Sequence, residues 1–100
     1  MIDPIITNNL DKIKDICQKH HVKELYVFGS ASTEKFNEKS DIDFAIDFEG
    51  VEEKEFANNY FSLMETMQLL LKRKVDFVTE KYLQNKYFIK ELNSTKVKLI

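Results

Sequence analysis

One cysteine, one proline, two glycines and no tryptophan in 100 residues leave few of the devices by which small proteins are stapled or sharply bent. The lone Cys17 excludes an internal disulfide and gives no basis for a cysteine-built zinc site, so a reducing, cytoplasmic setting is expected. Scarce glycine and proline beside 43% apolar and 32% charged residues exclude collagenous, low-complexity and disordered classes. No apolar run approaches the roughly 18 residues of a membrane span. Met1-Ile2-Asp3-Pro4 carries neither a basic n-region nor an apolar h-region, so no standard secretory signal is expected either. Charge of one sign is also lacking. Fifteen basic against 17 acidic residues leave a net charge of −2, so no bulk field draws in a nucleic-acid backbone or an anionic membrane. An anionic ligand would need a local site, with a metal. At this length a single domain over 1–100 is expected, close to the lower size at which one hydrophobic core suffices without staples.

Hydrophobic periodicity supplies the elements. Ile6, Leu10, Ile13 and Cys17 recur at steps of four, three and four, which predicts an amphipathic helix over 8–20 with Thr7, Asn8 or Asn9 as its cap. Lys23 to Phe28 is rich in strand formers and ends at Gly29-Ser30, so a strand delivers that glycine at its end. Residues 31–40 are polar and weakly periodic, a loop with room for one helical turn. From Asp41 to Phe48 the alternation is nearly strict, with Ile42, Phe44, Ile46 and Phe48 on one face and Asp41, Asp43, Ala45 and Asp47 on the other. The stripe Phe56, Tyr60, Leu63, Met64, Met67, Leu70 and Leu71 predicts a long helix over 53–72, with Lys72-Arg73-Lys74 favouring its negative C-terminal end. A short strand over 75–79 and a helix over 82–93 follow, and 96–100 reads as either a last turn or a short extended end.

Three aspartates stand out by position. Asp41 and Asp43, two apart on a strand, leave the same face with Cα atoms about 6.6 to 7 Å apart, within reach of one cation. Asp76 sits between Val75 and Phe77, where a carboxylate carries a desolvation cost unless a charge partner or metal offsets it. If the strands holding them are neighbours, the three converge. Crowded carboxylates repel one another and raise each other's pKa, and a divalent cation reverses that sign. Hard oxygen ligands suit Mg²⁺, and two such ions can serve an in-line phosphoryl displacement. The glycine at Gly29 admits close backbone approach, so the Gly29-Ser30 turn is a candidate holder of phosphate oxygens.

The run Val27-Phe28-Gly29-Ser30, a ten-residue gap, Asp41-Ile42-Asp43, and Val75-Asp76-Phe77-Val78 after a long helix resembles the minimal nucleotidyltransferases of the DNA polymerase beta-like superfamily. The resemblance covers nearly the whole chain. It implies an α/β (α+β) fold, a small mixed three-stranded sheet flanked by helices. It further implies that Gly29 and Ser30 bind the triphosphate of ATP, that Asp41 and Asp43 ligate Mg²⁺, and that Asp76 is a third ligand and a candidate base. Relatives of this kind occur as antitoxins beside HEPN-domain toxins, which implies transfer of AMP to a tyrosine of such a partner. The stretch departs from the family's Gly-Ser-x-Ala-Arg-Gly at Thr33-Glu34, exchanging a cation for an acid, with Lys35 or Lys39 as replacements. That departure motivates an alternative, a non-catalytic antitoxin that neutralises by binding. A small-molecule, aminoglycoside-type nucleotidyltransferase is the remaining alternative.

His20 and His21 are read as residues that cap the first helix or lie on the surface. Phe56, Phe61, Tyr82, Tyr87 and Phe88 are more aromatic surface than one small core holds, so a partner or a homo-oligomer is expected, with no membrane and no direct nucleic-acid contact.

Overall fold

The computed structural model describes residues 2–32 and 40–100. Among these, the helices are α1 (Pro4–Thr7), α2 (Leu10–Lys19), α3 (Phe56–Leu71) and α4 (Lys86–Thr95), and the strands are β1 (Val22–Phe28), β2 (Ile42–Phe48), β3 (Val75–Val78) and β4 (Val97–Lys98). Short 3₁₀ turns occupy Gly29–Ser32, Glu53–Glu55 and Glu80–Tyr82. The strands form one mixed sheet in the order β3-β2-β1-β4. β1 pairs antiparallel with β2 and with β4, whereas β2 and β3 run parallel.

The sheet therefore has four strands rather than the expected three. The added one pairs Val97 with Val27 and Lys98 with Tyr26, and two residues are too few to display a period of two in sequence. The expected first helix is also divided. Asp3 caps α1 by accepting a bond from the Ile5 amide at 2.9 Å, and Pro4 starts it, where its missing N–H costs nothing. At Asn9 the side-chain Nδ2 donates to the Ile5 carbonyl at 2.7 Å, while the Asn9 amide turns to Ile6. The side chain takes the acceptor that a continuing helix would give to its backbone, and α2 begins afresh. The long helix begins as a 3₁₀ turn before α3 and closes on Lys72 in the left-handed conformation.

Alternation on the strands divides the sheet faces as expected. Leu25, Val27, Ile42, Phe44, Ile46, Val75 and Phe77 are buried under α2 and α3, against Ile13, Cys17, Leu63, Met67 and Leu71. Phe44 and Phe77 stack at 5.6 Å across the parallel pair. Burial pushes the Cys17 thiol up to about 12, so it is packing and not a nucleophile. On the opposite face the cover is smaller: Phe28, Ala45 and Leu92 make a second buried cluster under α4, with Phe88 edge-on to Phe28 at 6.0 Å.

The remaining expectations divide. His20 fastens α2 to α3, its ring lying 2.8 Å from the Ile16 carbonyl and 2.9 Å from Ser62 Oγ, with Asn59 donating to the His20 carbonyl. Exposed His21 takes a positive φ at the turn into β1. Of the aromatics, Phe61, Tyr82 and Tyr87 are exposed, while Phe56 and Phe88 are half-buried in ring contacts. No helix of the described residues is long and apolar enough to cross a membrane.

Candidate active site

Asp43 lies on the α4-side face of β2, beside Phe28 of β1 and level with Asp76 of β3. Because partners in register point the same way, the parallel pairing sets both carboxylates side by side, one strand spacing of about 4.8 Å apart at the backbone. Asp41 precedes β2 by one residue and shares the face by alternation. Asp41 and Asp43 are half-buried and Asp76 is exposed at the sheet edge. α4 packs on this face over Phe28 and Ala45 through Leu92 and Phe88.

The electrostatics follow from the placement. Burial, then Asp76, then Asp41 push the Asp43 carboxyl up from its ordinary value. The same Asp76 charge, after burial, pushes up the Tyr60 phenol, whose hydroxyl donates to the Phe77 carbonyl on β3 at 3.4 Å. Among the described residues no group of three or more His, Cys, Asp and Glu side chains is already drawn together to hold a metal ion. Mutual repulsion of the carboxylates opposes such closure in the bare chain. The donor set nonetheless fits a hard divalent cation: oxygen ligands alone, on adjacent strands, with the middle one destabilised as an anion.

Gly29 closes the site from the β1 side. Its φ is +68°, and a Cβ there would stand 3.0 Å from Asp43 Oδ2. The missing side chain thus makes room for the Asp43 carboxylate. Its amide points elsewhere, donating to Thr95 Oγ1 at the end of α4 at 3.3 Å. Of Ser30 the structure describes the backbone, in the 3₁₀ turn Gly29–Ser32. Thr33, Glu34, Lys35 and Lys39 lie outside the described residues.

Two positions near the site carried no adequate sequence signal. Arg73, read with its neighbours as a basic helix end, donates through Nη1 to the Ser40 carbonyl at 2.9 Å, holding the residue before Asp41. Thr95 lies in the polar tail of α4, and its contact with Gly29 spans 66 residues. Asp47, on the same face as the cluster, stands at the other end of β2, 3.9 Å from Lys81 Nζ.

Residues 11–100 match the family profile described as "Polymerase beta, Nucleotidyltransferase". The "Putative protein adenylyltransferase MJ1379" of Methanocaldococcus jannaschii is 33% identical over 91 residues, spanning 83% of this chain and 90% of that protein. Among solved structures, one described as a "putative minimal nucleotidyltransferase" superposes with a TM-score of 0.76 at 22% identity, covering 97% of this chain and 95% of the other. A "tri-AMPylated Shewanella oneidensis HEPN toxin in complex with MNT antitoxin" gives 0.64 at 18% identity, covering 94% of this chain and 71% of the matched one. At these identities the two structures speak for the fold, a mixed sheet flanked by helices.

Proposed function

This chain belongs to the polymerase beta nucleotidyltransferase family, and from that premise we propose that it transfers AMP from ATP to a tyrosine hydroxyl of a HEPN-type toxin, acting in the cytoplasm as a single-domain antitoxin. The observation that carries the reading is the register of β2 on β3, which sets Asp76 level with Asp43 and two residues from the level of Asp41. The acceptor class is supported by the adenylyltransferase relative and by the AMPylated toxin seen with the MNT antitoxin neighbour.

In this reading Asp41 and Asp43, with Asp76, hold Mg²⁺, two ions in the full site, and the metal supplies the positive charge that offsets both the clustered carboxylates and the phosphate oxygens. The Gly29-Ser30 turn holds the triphosphate against the Asp43 side of the cluster. Asp76, exposed at the edge strand, faces the side from which an acceptor arrives and takes its hydroxyl proton. The acceptor oxygen bonds to the α-phosphorus as the bond from that phosphorus to the bridging oxygen breaks, and pyrophosphate leaves. The acceptor protein completes the site, approaching where Asp76 stands exposed at the edge strand. The exposed Phe61, Tyr82 and Tyr87 are candidate contact surface for it, or for a second copy of this chain.

Intact-mass analysis of the partner, incubated with this chain, ATP and Mg²⁺, tests the reading against an Asp41→Ala, Asp43→Ala control. Mass steps of one or more AMP units, absent in the control, are expected. A stable complex with no mass change would refute transfer for that partner and leave neutralisation by binding.

A further inference from the structure

Thr95 connects two parts of the fold that the sequence leaves 66 residues apart. It is the last residue of α4, and α4 is seated on the sheet by Leu92, buried against Phe28 and Ala45, and by the edge-on contact of Phe88 with Phe28. The helix is therefore fixed relative to the strand that ends at Gly29. The Thr95 hydroxyl donates to the Glu91 carbonyl one turn back at 3.1 Å and accepts the Gly29 amide at 3.3 Å. One donor and one accepting lone pair are used, so the oxygen has a defined orientation.

We propose that Thr95 is a positioning residue for nucleotide binding, its hydroxyl holding the Gly29 peptide in the orientation that keeps the Gly29-Ser30 turn clear of Asp43. This rests on the nucleotide-binding reading of the site. Gly29 at φ +68° has several accessible backbone conformations, because glycine alone enters the left- and right-handed regions at similar cost. The partner of its N–H is one of the contacts that select among them. With Thr95 in place, Gly29 leaves to Asp43 Oδ2 the space that a Cβ, 3.0 Å from that oxygen, would crowd. Without the hydroxyl, the amide loses this acceptor in a part-buried place, which loosens the Phe28–Gly29 peptide and the φ of Gly29 from which the turn into Ser30 starts. Phosphate oxygens on the turn and a cation on Asp43 then no longer meet in one geometry. Thr95 touches neither, so its effect falls on affinity.

The chain's two glycines make the test direct, since selective ¹⁵N-glycine labelling yields two amide resonances, Gly29 and Gly50. In the metal-free wild type the Gly29 amide is expected to exchange slowly. In Thr95→Val, which keeps the branched shape and loses the hydroxyl, its protection should fall by roughly tenfold while Gly50 is unchanged. Thr95→Ser should restore it. Titration with Mg²⁺ and ATP, followed at the same resonance, should show affinity weakened by about fivefold in Thr95→Val and recovered in Thr95→Ser, the size of one lost hydrogen bond. Equal protection in all three chains, or equal affinity in wild type and Thr95→Val, would overturn the proposal alone. A wild-type Gly29 resonance unmoved by Mg²⁺ and ATP would overturn the nucleotide-binding reading, and the proposal with it.

Discussion

Gly29→Ala makes two demands that can be measured separately. An alanine at φ +68° sits in the left-handed region, which costs an L side chain about 1 to 2 kcal/mol. Its Cβ would also stand 3.0 Å from Asp43 Oδ2, so the carboxylate must yield by a few tenths of an ångström. Its retreat is hindered because Asp76 lies beside it and repels it. Displacing the side chain from its rotamer costs about 0.5 to 1.5 kcal/mol. Together Gly29→Ala should destabilise the chain by about 1.5 to 3.5 kcal/mol, the two contributions adding. In an Asp43→Ala background the nearest remaining atom is Cβ at 4.0 Å, an ordinary contact, so only the backbone contribution survives. Urea unfolding of the four chains in a double-mutant cycle should give a Gly29→Ala cost about 1 kcal/mol smaller once Asp43 is gone. An identical cost in both backgrounds would refute the steric role of Gly29 toward Asp43. A Gly29→Ala chain as stable as wild type would refute the backbone assignment as well.

Two further outcomes follow from the site's electrostatics and its supports. Because the folded state raises the Asp43 pKa above the ordinary 3.8, the charged carboxylate destabilises the fold at neutral pH, and that loss is relieved as pH falls through the raised value. Asp43→Asn should thus be more stable than wild type at pH 7, by under about 1 kcal/mol after solvent screening, with the gap closing toward pH 3.8. Millimolar Mg²⁺ should raise the wild-type melting temperature and narrow the gap at pH 7, and a Mg²⁺ response undiminished in Asp43→Asn would count against this residue as a ligand. Arg73→Ala removes the charged donor to the Ser40 carbonyl and should cost about 1 to 2 kcal/mol in urea, with a weaker Mg²⁺-induced shift because Asp41 follows Ser40. A stability loss without any change in the Mg²⁺ response would separate Arg73 from the site.

The sequence by itself determined what is local. Alternation through 41–48 assigned Asp41 and Asp43 to one face and Ile42, Phe44 and Ile46 to the other, because a period of two leaves no freedom once one side is buried. The stripe through α3 identified Leu63, Met67 and Leu71 as core for the same reason at a helical period. Gly29 was legible as a strand end that admits unusual backbone angles and close approach, whereas the Asp43 carboxylate that takes up its space was not. What remained open were matters of partnership. Periodicity marks a strand's faces and says nothing of its neighbour, direction or offset, so only the tertiary structure could place β3 parallel to β2 with Asp76 opposite Asp43. Val97–Lys98 is too short to announce itself, and becomes a strand because β1 offers it a free edge. The break between α1 and α2 turned on one Asn9 side chain capturing the Ile5 carbonyl inside a continuous apolar stripe. Arg73 on the Ser40 carbonyl and Thr95 on the Gly29 amide are bonds across 33 and 66 residues. Such bonds depend on where helices come to rest on the sheet, which is set by the burial of all their apolar faces at once and so has no local mark in the chain.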